Sequence, residues 1–186
     1  MKQMKRILAL LLVLAMAVAF SGCGKDPLIG TWVGEIDLSG KMVEGLDEAF
    51  EGQGAPSAAG YITALTLTLK VEFKDDGTYA RSYDLSKDKD AFVSGCSSFM
   101  RDVIKAIAGK ELDDATIASM LGMSLEDYAV TVLDAMTESM TDEEGTYEND
   151  GKNILWDKET DPYTIDGDTM KMDIEDIGEV FFTRVG

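Results

Sequence analysis

The chain has 186 residues, with 17 basic against 35 acidic side chains and a formal charge of −18. A polypeptide this acidic repels nucleic acid and anionic lipid headgroups, so neither is an expected partner. It has no histidine, which removes His-based triads and the common His-bearing zinc sites. It carries neither a GxxxxGK[ST] nor a GxGxxG phosphate loop, and no cofactor is expected.

Lys2, Lys5 and Arg6 open the chain without an acid, and Ile7 to Phe20 then runs apolar without a charge. That is a basic region followed by an apolar stretch of signal-peptide length, shorter than the ~20 residues a spanning helix needs. It ends in Phe20-Ser21-Gly22-Cys23. Small residues followed directly by cysteine resemble the lipobox of bacterial lipoproteins, with Phe20 where leucine is usual. The resemblance implies that residues 1–22 are removed and that Cys23 becomes a diacylated N-terminus. Two acyl chains hold a protein on a bilayer where one gives only reversible binding. The expected place is the outer face of the cell membrane, with the bilayer as partner through Cys23. Losing Lys2, Lys5 and Arg6 deepens the charge from −18 to −21. The remaining 164 residues suffice for one domain that buries roughly 70% of its unfolded surface. With Cys23 acylated, Cys96 has no partner for a disulfide and is expected as a buried thiol.

Residues 23–29 are expected as a short tether, and 30–186 as the folded domain. Trp32, Gly34, Ile36 and Leu38 alternate with Val33, Glu35 and Asp37, predicting a strand with one face on a core. Met42, Leu46, Ala49 and Phe50 have helical spacing, and residues 52–60 are rich in small and turn residues, predicting a helix and then a flexible loop. Ala64 to Phe73 alternates over its full length and leads through Asp75-Asp76-Gly77, a hairpin turn, into a strand over 78–84. Tyr79 and Tyr83 share a face of that strand with Arg81, so an unmixed apolar interior is not expected there.

Residues 87–141 change to a helical period. Phe92, Cys96, Phe99, Val103 and Ile107 form one stripe, widened by Met100 and Ile104 and ended by Gly109. A shorter helix is predicted over 113–121 with Ile117, Met120 and Leu121 inward. A third starts behind Ser124 as N-cap and runs through Leu125, Tyr128, Ala129, Val132, Leu133, Met136 and Met140. Strand patterns resume over 145–148 and 152–157 around Asn149-Asp150-Gly151. They continue over 163–165 and 169–174 around Asp166-Gly167, and close over 179–185. The count is eight strands, mostly joined by hairpins, with a helical block between the third and fourth. The expected class is mainly β with a helical insertion (α+β), an antiparallel barrel or sandwich.

Gly30-Thr31-Trp32 resembles the Gly-x-Trp signature that opens the first strand of lipocalin-like barrels, and Phe182-Thr183-Arg184 stands where those barrels place an arginine across the tryptophan ring. Residues 73–79 and 163–168 are similar to hairpins of small lipocalin-like lipoproteins of Gram-positive gut bacteria, many of which carry a helical insertion. The resemblance covers 30–86 and 142–186. It implies a barrel whose end is closed by Gly30, Trp32 and Arg184 as structural residues, with the ligand-binding residues unassigned.

Two further features have a bland and a functional explanation. Met100, Met120, Met123, Met136 and Met140 lie in or beside the helices, either as gap fillers or as an adaptable binding surface. The Asp-rich turns at 75–76, 149–150 and 166–168 fit turn chemistry better than calcium, since no EF-hand loop is in register. The leading expectation is a binding module for a small apolar or amphipathic ligand. The alternative is an envelope protein with a filled barrel that holds a basic partner through its acidic surface. Nothing in the sequence directs it to catalysis or to a metal.

Overall fold

The computed structural model describes residues 26–156, 159–174 and 177–185. Eight strands form a closed antiparallel barrel: β1 (Gly30–Asp37), β2 (Thr66–Phe73), β3 (Thr78–Asp84), β4 (Glu143–Asn149), β5 (Asn153–Trp156), β6 (Glu159–Asp166), β7 (Thr169–Ile174) and β8 (Gly178–Val185). Each strand pairs with the next, and β8 returns to β1 through Trp32↔Arg184 and Gly34↔Phe182. Closure removes the unpaired edges that an open sheet would expose to other chains. The expected strand count, hairpins and helical insertion are all present. This is the architecture that the lipocalin-like resemblance implies.

Period-two alternation decides what the barrel encloses. Leu67, Leu69, Val71 and Phe73 of β2 are buried, while Lys70 and Glu72 between them face solvent. Trp32, Ile36, Ile154, Met170, Met172, Val180 and Phe182 fill the same interior from the other strands. Each large apolar side chain removed from water stabilises the fold by about 1.5–3 kcal/mol.

The odd-numbered strands run from one barrel end to the other, and the even-numbered ones return. The hairpins after Phe73, Asn149 and Asp166 therefore share the end where β1 begins. The opposite end carries the helices. Between β1 and β2 lie α1 (Ser39–Ala49) and a short 3-10 turn (Ala58–Gly60). Between β3 and β4 lie α2 (Lys89–Ala108), α3 (Asp114–Leu121) and α4 (Leu125–Ser139). Asp113 and Ser124 cap α3 and α4 through side-chain oxygens that accept from Thr116 N and Asp127 N.

Three local expectations change. The stretch expected as a flexible loop at 52–60 contains Ala58, fully buried, whose N–H donates to Asp47 at 2.6 Å. The apolar stripe of α2 stops short of Ile107, which is 58% exposed, and Met120 of α3 is 67% exposed. Helical spacing marks the face but not its cover: the buried stripe of α2 ends at Val103, and only Ile117 of α3 is buried. Within the stretch expected as a tether, 23–29, Leu28 has no exposed surface and belongs to the core.

The helices pack on their own aromatic centre. Phe99 meets Phe50 and Tyr61 edge-on, with centroids at 5.7 and 5.6 Å, and the Tyr61 hydroxyl donates to Asp102 at 2.5 Å. Gly95 makes this approach possible: a Cβ there would stand 2.2 Å from the Tyr61 carbonyl oxygen. Cys96 is buried beside it with no disulfide, and burial pushes its thiol pKa up.

Candidate functional site

The structure brings Gly30, Trp32 and Arg184 together where β1 begins. The Trp32 indole N–H donates to the Leu28 carbonyl at 2.7 Å. The Arg184 guanidinium carbon lies 4.2 Å from the indole centroid. Its two terminal nitrogens donate to the carbonyls of Ile29 and Pro27, each at 2.6 Å. Gly30 has φ +130°, and a Cβ there would press on the guanidinium at 2.9 Å. Across the same end, Asp26 accepts from the Leu28 N–H at 2.9 Å and from the Asn149 amide at 2.7 Å. The Tyr163 hydroxyl donates to Asn149 at 2.7 Å. Residues 26–29 thus lie across the barrel end and are fastened on both sides. Cys23, the expected lipid-attachment residue, lies outside the described residues.

Above this plug the described side chains fill the barrel: Trp32, Val71, Ile154, Met170, Met172 and Phe182 have no surface that water can reach, so no solvent-sized void adjoins them.

Space opens at the other end, on the side of β3 to β6. A cavity of about 780 Å³ is lined by Tyr79, Arg81, Asp142, Glu143, Glu144, Trp156 and Glu159. Its floor is aromatic. Trp156 stacks on Phe73 with centroids at 5.8 Å, and Tyr79 lies 5.3 Å from it. Arg81 covers this floor, its guanidinium carbon 4.3 Å from the Trp156 centroid and 5.8 Å from that of Tyr79. Its polar partners are distant: Glu143 at 3.5 Å and the Tyr83 hydroxyl at 3.4 Å. The Arg81 Nε is buried without a hydrogen-bond partner among the described residues.

Beneath the floor, the Trp156 indole N–H donates to Asp161 at 2.8 Å. Asp161 is only 5% exposed. Burial pushes its pKa up, and the indole N–H and the charge of Arg81 oppose that shift without cancelling it. Among the described residues the lining sets four carboxylates against one guanidinium. It can therefore accept a positive charge at the rim and an apolar body against the aromatic edge.

Of this cavity only Arg81 with Tyr79 stands out in the sequence, as a charge on an inward face. Trp156, Asp161, Glu143 and Glu159 come from three further strands. Glu143 and Glu159 also extend β4 and β6 beyond the stretches in which alternation is visible. Among the described residues, no group of three or more His, Cys, Asp or Glu is placed to hold a metal ion. Likewise, no described helix is long and apolar enough to cross a membrane. Compared with known proteins, the chain matches no family model, no curated protein and no solved structure.

Proposed function

We propose that the chain is a binding module, held at the outer face of the cell membrane by an acylated Cys23, whose barrel mouth takes a small amphipathic cation. The observation that carries this is the cavity of about 780 Å³ with an aromatic floor and four carboxylates, set above a filled barrel. Its size suits a single small molecule. The chain's own side chains occupy the apolar interior, which favours an amphipathic ligand over a wholly apolar one. The strong negative charge raises the local concentration of cations, and a cleft lined by one sign of charge focuses that field.

The filled interior also supports a second reading, an envelope protein that captures a basic polypeptide on its acidic surface. One titration separates the two. The mature chain carrying Cys23→Ser is followed by tryptophan emission while hexylammonium or hexyl sulfate is added, with Trp156→Phe as control. Saturable binding of the ammonium alone, weakened by salt and invisible in the control, is expected. Equal responses to both additives, or none to either, would refute the mouth as a cation site. Capture of a basic peptide without ammonium binding would favour the second reading.

A further inference from the structure

We infer that the barrel stands on the membrane with its plugged end down, so that the mouth faces away from the bilayer and is loaded from water. The inference rests on the acylation of Cys23 and on the mouth as the binding site. Only Gly24 and Lys25 separate Cys23 from Asp26. Three residue steps span at most about 11 Å of extended chain. Asp26 is not free to swing on this leash, because its carboxylate is held by Asn149 of β4 and by the Leu28 N–H. The two carbonyls beyond it are held by Arg184 of β8. Asp26, where the leash begins, is therefore fixed at the plugged end, beside the end of β4.

The mouth lies at the far side. Along the strands that line it, the rim carboxylates Glu143 and Glu159 stand at the far ends of β4 and β6 from the hairpins after Asn149 and Asp166, about 15–18 Å up the barrel for tilted strands, while Trp156 at the floor lies deeper, at the end of the short β5. The mouth is thus beyond the reach of the leash unless the barrel lies down. Charge does not choose between the ends: the hairpin tips of the plugged end carry Asp75, Asp76, Asp150, Asp166 and Asp168 beside Lys74 and Lys152, and the rim of the mouth carries Asp142, Glu143, Glu144 and Glu159. The short leash sets the orientation. A ligand extracted from the bilayer has no short path to Trp156 and Glu159, whereas a water-borne organic cation does.

The test uses the acylated chain in phosphatidylcholine vesicles that contain a rhodamine-headgroup lipid. A donor dye is attached at Lys152→Cys, beside the β4–β5 hairpin, or at Thr141→Cys, at the rim before β4. Cys96 is buried, and labelling of the unaltered chain gives the background. Stronger energy transfer from position 152 than from 141 is expected. Equal or reversed transfer overturns the orientation. A Cys23→Ser chain that transfers as strongly as the acylated one overturns the anchor instead. Hexylammonium should then bind the anchored and the soluble chain with midpoints within about twofold. A tenfold loss on vesicles means a covered mouth and overturns the inference. Absence of binding in both forms refutes the cation site while leaving the orientation to the transfer result.

Discussion

Arg184 lies across the Trp32 ring with its guanidinium carbon 4.2 Å from the indole centroid, while its nitrogens hold the carbonyls of Pro27 and Ile29. A cation over an indole is worth about 0.5–2 kcal/mol, and hydrogen bonds to a charged donor about 1.5–3 kcal/mol each. Arg184→Met should cost about 2–4 kcal/mol in urea unfolding. Arg184→Lys keeps the charge but loses the fork, and should recover less than half of that. Full recovery by lysine would show that the fork does not matter.

Asp161 gives stability a pH dependence of known sign. Its folded pKa is raised by burial, while the unfolded chain keeps the ordinary value of about 3.9. Between the two values the folded state holds a proton that the unfolded state has lost. The carboxyl's contribution is therefore fully present below the unfolded value and is lost as pH rises through the raised folded value. Asp161→Asn can still accept from the Trp156 N–H but does not titrate. The unfolding free energy of the natural chain minus that of the variant should rise as pH falls from 7 towards 4. A flat or falling difference contradicts a raised folded value.

Among the described residues Arg81 is the single positive group in the lining of the mouth, and its polar partners are no closer than 3.4 Å. Removing a like charge about 6 Å from a bound cation, in an environment of intermediate dielectric, favours that cation by about 1–3 kcal/mol. Arg81→Met should tighten hexylammonium binding about tenfold. Glu143→Gln and Glu159→Gln should each weaken it several-fold. Weaker binding by Arg81→Met would mean that the guanidinium itself receives the ligand.

Two glycines in helices should respond in opposite directions. Gly95→Ala forces a Cβ to within 2.2 Å of a backbone oxygen, and the helix must move. A loss of about 2–3 kcal/mol is expected, as for other overpacked sites. Gly45 of α1 has nothing within 4 Å of its missing Cβ. Gly45→Ala should stabilise by about 0.5–1 kcal/mol through helix propensity and a less disordered unfolded chain. Thermal unfolding of the two variants checks both signs.

The barrel is legible in the sequence because alternation is a local signal: Leu67 to Phe73 announces its buried face without any knowledge of its neighbours. Helix starts are equally local, since Asp113 and Ser124 cap through their own side chains. The mouth is not local. Arg81, Glu143, Trp156 and Asp161 meet only because the closed barrel aligns β3 to β6, and no spacing in the chain encodes that alignment. The burial of Leu28 is hidden for the same reason. A short run with two apolar residues after a proline reads as a linker until Trp32 and Arg184 are placed around it. Ile107 and Met120 err the other way, because periodicity marks a face and not whether anything covers it.

The bond from Arg184 to Ile29 joins residues 155 positions apart. Until β8 is in place, β1 has no second neighbour, β7 has an open edge, and the Pro27–Ile29 segment lacks both bonds from Arg184. Closure is therefore a non-local event that must wait for the two ends of the domain to meet. A chain whose last strand fails to pair keeps two open edges and an uncovered hydrophobic lining, which makes strand pairing with other copies the competing fate.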